Sequence, residues 1–577
     1  MSRIFSTVHP RSLRTFLVCA LSLTSAASTL LAGDVSWIAR GENGMVAADS
    51  RDASRAGLEI LRAGGNAIDA AVAVSFALGV TRSYSTGPGG GGFMIARFAD
   101  GRVVVQDFRE TAPAAATADM FVRATKSGAI RASRVGHLAV GVPGLVAGRC
   151  QALAQWGTLP IARVLAPAIR LAESGFAVNE NFVRTIRSVQ EEFERDALKE
   201  RFAYLWRTHL RGGRDWNVGE VFVQPNLARL LRAIAKDGPR AFYRGPVAKA
   251  IAKAMTQHGG LVTEKDLAEY KPRLREPIVS TYRDYSLILM PPSSSGGVAL
   301  AEALNTLEVL GHASVVKRDA SLAVHYRIEA MKHAFADRAR WLGDDDFVAV
   351  PTQRLVSKSY ACELAEMVHP DHAFDVERYG SLAMPKDAGT SHFCVADQYG
   401  NVVVSSETIN TLFGSFAVVE EWGLILNNQM DDFTTEPGKP NAYGLIQSAA
   451  NAIAPGKRPL SSMSPTIVLK GDRPMLLLGA SGGPHIITSV LNVLLGVTDA
   501  GLSLEEAMLA VRPHHQWQPD EVLFDRAPGR DLTDALTERG HRIAVKRRTG
   551  IVQAILRTDH GWVGGCDPRK GGEPAGY

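Results

Sequence analysis

The chain has 577 residues, 46% hydrophobic and 21% charged, with 54 glycines, 28 prolines and a formal net charge of +5. That composition supports a large core, in one unit or several. Its 64 basic and 59 acidic residues nearly balance, and no basic stripe interleaved with aromatics runs through it, which excludes nucleic acid as an expected partner.

Residues 1–33 differ from the rest. Arg3, Arg11 and Arg14 precede an apolar run from Phe16 to Leu21, and Ser25, Ala26 and Ala27 form a small-residue cleavage site. This is the pattern of a secretory signal over 1–27, so the protein is expected to be exported, either periplasmic or secreted. An uncleaved membrane anchor is the weaker alternative, because Ser and Thr interrupt the apolar run before the ~18–20 residues that a span needs. Cys150, Cys362, Cys394 and Cys566 lie beyond the signal, far apart and without a C-x-x-C pair, so they indicate neither a metal cluster nor a redox couple. An exported location permits one disulfide among them.

The spacing predicts a helix over 54–63 closed by Gly64 and Gly65, then a small-residue helix over 67–78. The glycine-rich run 87–92 lacks the lysine and following helix of a phosphate-cradling loop, and reads as backbone passing close to another segment. Residues 94–98 and 103–108 form an expected hairpin that ends at Arg109. From 114 to 380 the pattern turns helical, with apolar residues three and four apart over 162–174, 224–236, 246–257, 299–309, 321–341 and 352–367. The acidic run Asp344-Asp345-Asp346 inside this block offers a cation site or, more simply, an exposed loop.

A second hairpin is expected about Gln398-Tyr399-Gly400-Asn401, joining a strand that begins near Thr390 to the run 402–408. Thr390 stands where a loose approach, Pro385 to Gly389, enters that strand. Were the chain cut there, the new α-amine, with a pKa of roughly 7.7–8.0, would take the proton of the hydroxyl on the same residue and make it a nucleophile. Left uncut, Thr390 merely begins a strand. Further on, 437–456 has no periodicity and reads as a long surface loop of the kind that serves as a lid. A strand over 466–470, a second over 475–478 and a helix over 485–497 follow.

Two readings compete at Gly479-Ala480-Ser481-Gly482-Gly483. As a strand-turn-helix G-x-S-x-G, it makes Ser481 an esterase nucleophile, with Asp520 or Asp525 and then His541 in triad order. Alternatively, the adjacent amides of Gly482 and Gly483 aim two N–H donors at one oxygen, as an oxyanion hole requires.

Several motifs together resemble the γ-glutamyltranspeptidase family. They include Gly-Gly-Asn-Ala-Ile-Asp-Ala-Ala at 64–71, Asp107-Phe108-Arg109-Glu110, Thr390-Ser391-His392, Thr408-Ile409-Asn410-Thr411, Leu426 to Phe433, Lys457 to Thr466, Asp567-Pro568-Arg569 and Ala575-Gly576-Tyr577. The resemblance implies an α+β, N-terminal-nucleophile hydrolase fold: a four-layer αββα sandwich, autoprocessed between Gly389 and Thr390 into a large subunit (28–389) and a small catalytic one (390–577) that form one αββα unit. It implies Thr390 as nucleophile, Thr408 as the residue that orients it, and Gly482 and Gly483 as oxyanion donors.

The substrates implied are glutathione and other γ-glutamyl compounds, with water, amino acids or peptides as acceptors and neither metal nor organic cofactor. For the zwitterionic head of such a substrate, Arg109 with Ser461 and Ser462 offers a cation and neutral donors to the α-carboxylate. Asp432 with Asn410 and Gln429 offers acceptors to the α-ammonium, and Tyr443 matches the family's lid tyrosine. Ser391 stands where a second threonine is usual and is expected still to donate a hydrogen bond, while Glu407 beside the site bears on acceptor preference. The alternatives are the serine esterase at Ser481, a related cephalosporin or glutaryl acylase, and a binder of γ-glutamyl compounds that has lost maturation.

Overall fold

The computed structural model describes residues 37–379, 389–434, 448–546 and 549–577, so the signal lies outside it. The strands of its two large sheets are, in chain order, β1 (Ile38–Gly41), β2 (Met45–Ala48), β3 (Gly91–Arg97), β4 (Val103–Asp107), β5 (Arg273–Arg275), β6 (Ile278–Tyr282) and β7 (Tyr285–Leu289). They continue with β8 (Ser391–Ala396), β9 (Val402–Thr408), β10 (Thr466–Lys470), β11 (Arg473–Ser481), β12 (Ile551–Thr558), β13 (Gly561–Cys566) and β14 (Ala575–Gly576). One seven-stranded sheet runs β14-β2-β8-β9-β3-β4-β5 and the other β1-β13-β12-β11-β10-β7-β6, with every neighbouring pair antiparallel.

The β8–β9 hairpin forms as its turn residues dictate. Asp397 Oδ1 accepts from the amides of Tyr399 and Asn401, each at 2.9 Å, and Gly400 takes a φ of 92°, open at little cost only to glycine. The other oxygen of Asp397 accepts from Ala67 N at 2.8 Å, which pins the turn to the start of a helix. Every residue of β8 and β9 is buried, so any partners of their polar side chains come from inside the protein.

That helix, α2 (Ala67–Thr81), follows α1 (Arg51–Arg62) and is buried on all sides, which its five alanines and otherwise mostly apolar residues allow. Both lie against the first sheet. On the far side, α4 (Gly296–Val309) and α6 (His485–Thr498) cover the second sheet and α5 (Ala320–Trp341) packs on α4; α3 (Leu145–Trp156) joins the first helical layer. The sheets pack face to face, β8 and β9 against β11, giving the layers α-β-β-α. One apolar cluster fills the space under α1 and α2, and a second lies between the sheets and under α4 to α6. No described helix is long and apolar enough to cross a membrane.

The glycine run keeps its expected role: a Cβ on Gly90 would sit 2.1 Å from the Thr408 carbonyl oxygen, and one on Gly89 2.0 Å from that of Ile425. Three expectations change. The pattern over 352–367 resolves into two helices, Thr352–Leu355 and Lys358–Ala365, because the Ser357 hydroxyl caps the second by accepting from Tyr360 N at 3.1 Å. The acidic run is an exposed turn at Asp345 and Asp346 but not at Asp344, which is buried, and all three carboxylates meet Arg275, at 2.8 Å for Asp346, 3.2 Å for Asp345 and 3.5 Å for Asp344, while Arg275 also reaches Asp107. All four cysteines beyond the signal are free thiols.

Candidate active site

Thr390 immediately precedes β8, Thr408 ends β9, and the two strands pair from Ser391–Glu407 onward, so the hairpin brings both hydroxyls to one end of the first sheet. Thr390 Oγ1 donates to Thr408 Oγ1 at 3.3 Å. Thr408 Oγ1 in turn donates to the Gly389 carbonyl oxygen at 2.7 Å and accepts from Asn410 N at 2.8 Å. At the same end of the second sheet, Gly482 (φ 126°) and Gly483 (φ 57°) turn β11 into the N-terminus of α6, in conformations that a side chain would strain. A helix N-terminus carries partial positive charge, which suits the oxyanion expected there.

A small cavity opens beside Thr390, walled by Arg109, Arg338, Thr408, Asn410, Gln429, Asp432, Ser461, Ser462 and Gly483. Every expected site residue within the described part of the chain therefore lines it except Gly482, which borders Thr390 from the next cavity. Tyr443 lies outside the described residues. Arg109 is buried rather than solvated, with Nη2 bonded to Asp432 Oδ2 and Nε donating to the Pro459 carbonyl at 3.2 Å. Gln429 Nε2 donates to the same Asp432 oxygen at 2.7 Å, and Asn410 Nδ2 reaches the Asn428 carbonyl at 3.0 Å. Burial raises the Asp432 carboxyl above its usual range against the opposing pull of Arg109. Glu110, wholly buried, is pushed up to about 8 by desolvation, only partly offset by the guanidinium of Arg109, which is 4.0 Å away.

The serines hold a tight turn. Ser461 Oγ accepts from Met463 N at 3.1 Å, and its carbonyl accepts from Ser295 N at 2.8 Å and Ser295 Oγ at 2.5 Å. In the described end of the long loop Ala449, Pro455 and Gly456 are exposed, as expected, but Asn451 is buried, donating to the Asp432 carbonyl at 2.7 Å and accepting from Leu460 N at 3.0 Å. It ties the Asp432 segment to the backbone that leads into the serine turn.

Other expectations are corrected. Ser481 assembles no triad: its hydroxyl accepts from Lys570 at 2.9 Å, while His541 bonds His325, Asp520 bonds His515 and Asp525 bonds Arg569. Glu407 does not face the cavity. It points through the other side of the first sheet, where it pairs with Arg149 at 3.0 Å and accepts from Ser75 at 2.6 Å. The Ser391 hydroxyl is buried without a hydrogen-bond partner among the described residues. His325, Glu329 and His541 lie at metal-ligand spacing, but their atoms are engaged with one another, with the His369 carbonyl and with Lys332.

Two residues escaped the sequence reading. Lys570 donates to the Thr390 carbonyl at 2.7 Å and to Asp49 at 2.6 Å, and Arg338 lines the cavity from α5. Nothing in the local pattern marks Arg338, which sits within a helical period. Lys570 directly follows the Asp567-Pro568-Arg569 motif, which was the available signal.

Two antiparallel sheets enclosed by helical layers, with a threonine at the head of a central strand, define the N-terminal-nucleophile hydrolase architecture. The family model described as Gamma-glutamyltranspeptidase matches residues 53–577. The sequence is 41% identical over 577 residues to the glutathione hydrolase proenzyme of Escherichia coli (strain K12), covering 98% of each. Among solved structures, cephalosporin acylase from Bacillus halodurans matches with a TM-score of 0.83 at 30% identity, over 94% of this chain and 97% of that one. A chain of Helicobacter pylori gamma-glutamyltranspeptidase matches with a TM-score of 0.52 at 39% identity, over 58% of this chain and 95% of its own. The chain belongs to the γ-glutamyltranspeptidase family of enzymes.

Proposed function

We propose that this protein is an exported, self-processing γ-glutamyl hydrolase and transferase whose nucleophile is Thr390. The observation that carries the reading is the Thr408 hydroxyl, set between Thr390 Oγ1 and the Gly389 carbonyl oxygen beside a cavity lined with paired charges. In maturation, Thr390 Oγ bonds to the Gly389 carbonyl carbon, the C–N bond breaks, and the hydroxyl proton ends on the Thr390 nitrogen. Water then splits the ester, releasing Gly389 as a carboxylate and leaving a free amine and hydroxyl on Thr390. The pieces are 28–389 and 390–577. The Helicobacter pylori chain, matched over 95% of itself yet 58% of this one, fits a polypeptide that exists in two parts.

In turnover the amine takes the hydroxyl proton and Oγ attacks the γ-carbonyl. The amides of Gly482 and Gly483 hold the oxyanion, each such donor typically worth roughly 3–4 kcal/mol of barrier. The leaving amine departs with the proton. Water, or the amine of an amino acid or peptide, then resolves the γ-glutamyl-Thr390 ester. Arg109, Ser461 and Ser462 receive the α-carboxylate, and Asp432, Asn410 and Gln429 the α-ammonium. Glutathione is the expected donor, in keeping with the name of the Escherichia coli relative.

The acylase relative raises a second reading, in which a glutaryl or cephalosporin acyl group is the substrate. Asp432 disfavours it, because a glutaryl head brings no ammonium to a buried carboxylate. The test is N-terminal sequencing of the smaller fragment, about one-third of the 62.0 kDa chain, together with release of p-nitroaniline from γ-glutamyl and glutaryl anilides. Thr390 at the new terminus and preference for the γ-glutamyl anilide support the proposal, with Thr390→Ala remaining a single chain. A Thr390→Ala protein that still matured and turned over would overturn it.

A further inference from the structure

Arg338 projects from α5 into the same cavity as Thr390 and Arg109, with a relative exposure of 1%. Three other fully buried arginines each meet a carboxylate: Arg109 with Asp432, Arg149 with Glu407 and Arg512 with Asp567. A further one, Arg82, is held by the backbone carbonyls of Asp49 and Lys570. Arg338 has neither kind of partner among the described residues. Its Nε donates to Ser295 Oγ at 2.9 Å, its Nη2 makes a long contact of 3.4 Å with Ser462 Oγ, and its Nη1 has no hydrogen-bond partner. Burial lowers its proton affinity, to about 10, and the opposing pull comes from Asp432, which already serves Arg109 and Gln429. It is therefore a buried cation at neutral pH without a counter-ion of its own among the described residues, an arrangement that is costly unless an anion arrives to complete it.

We propose that Arg338 is the second cation of the α-carboxylate subsite, binding the carboxylate of the γ-glutamyl group through its unpartnered Nη1 alongside Ser462. The inference rests on the γ-glutamyl reading of the cavity. With two guanidiniums present, the incoming carboxylate has a charge partner that Asp432 does not occupy. Arg109 need not give up Asp432 outright before the substrate's ammonium reaches it. Arg338 also braces the serine turn through Ser295, so a structural role has to be separated from a binding one.

The separation uses two anilides with the same scissile bond, L-γ-glutamyl-p-nitroanilide and its α-carboxamide analogue. Turnover of the first by the wild-type protein tests the γ-glutamyl reading by itself. Arg338→Met, checked for maturation on a denaturing gel, should raise KM for the carboxylate substrate roughly 10- to 100-fold with kcat nearly kept, the effect of losing one hydrogen bond to a charged group. Its kcat/KM for the carboxamide should match that of the wild type. Equal losses on both substrates would mean that Arg338 only braces the turn, and an unchanged KM would mean that it does not meet the substrate; either overturns the proposal. Should Arg338→Met fail to mature, Arg338→Lys decides: a retained but weakened preference for the carboxylate supports the proposal, and equal losses on both substrates refute it.

Discussion

The Thr408 hydroxyl touches both atoms that maturation must bring into play, accepting from Thr390 Oγ1 at 3.3 Å and donating to the Gly389 carbonyl oxygen at 2.7 Å. It therefore holds the nucleophile against the carbonyl and supplies a donor to the oxygen that gains negative charge. Thr408→Val keeps the shape and loses both functions. Its self-cleavage, followed as fragment appearance on a gel, should slow by roughly 10²–10³, the usual loss for one oxyanion donor, while Thr408→Ser should mature at close to the wild-type rate.

Arg109 and Asp432 are bonded to each other in the cavity wall, and a zwitterion must come between them. Arg109→Ala and Asp432→Asn should each lower kcat/KM for γ-glutamyl-p-nitroanilide by about 1.5–3 kcal/mol, with maturation little changed. Because each change strands the other charge, the double variant should lose less than the sum of the two. Strict additivity would show that the pair is not coupled.

Glu110 gives the substrate affinity a pH dependence. Its carboxyl is pushed up to about 8 by burial, so at neutral pH it is protonated and leaves Arg109 to the substrate. As pH rises through about 8 it becomes a competing anion at Arg109, and KM should climb; Glu110→Gln should flatten that rise. The stability effect has the same sign. The native state holds this proton more tightly than the unfolded chain, so the associated stability is full below the carboxyl's ordinary value of 4.5 and is lost as pH climbs through about 8.

The buried pair of Glu407 and Arg149 supports β9, the strand that ends in Thr408, from its far face. Glu407→Gln leaves Arg149 charged and unpaired, and should cost on the order of 3–5 kcal/mol in denaturant unfolding. The acceptor preference of any matured protein should be unchanged, since Glu407 does not reach the cavity.

The hairpins and long helices were legible because their periods and turn residues are local. The reading of 466–470 matches β10 residue for residue, and 162–174 differs from Ile161–Ser174 by one position. Arg109, Asp432, Ser461 and Ser462 were legible through motif and charge logic, and they share one cavity. What local pattern could not show was direction and distant partnership. Glu407 alternates within its strand to the face opposite the cavity, and the acidic run meets an arginine some seventy positions earlier in Arg275. Arg338 and Lys570 reach Thr390's surroundings only through the packing of α5 and of the last segment onto the sheets.

The order of the strands bears on what a break before Thr390 would do to the molecule. In one sheet β8 and β9 lie between β2 and β3, and in the other β10 to β13 lie between β1 and β7. The segments on either side of the break are thus interleaved like the fingers of two clasped hands. Severing the peptide would free a terminus without freeing a fragment. Once the cut protein was unfolded, however, refolding would become an encounter between two molecules, slower as they are diluted. The same scission that arms the enzyme would make its loss of structure hard to reverse.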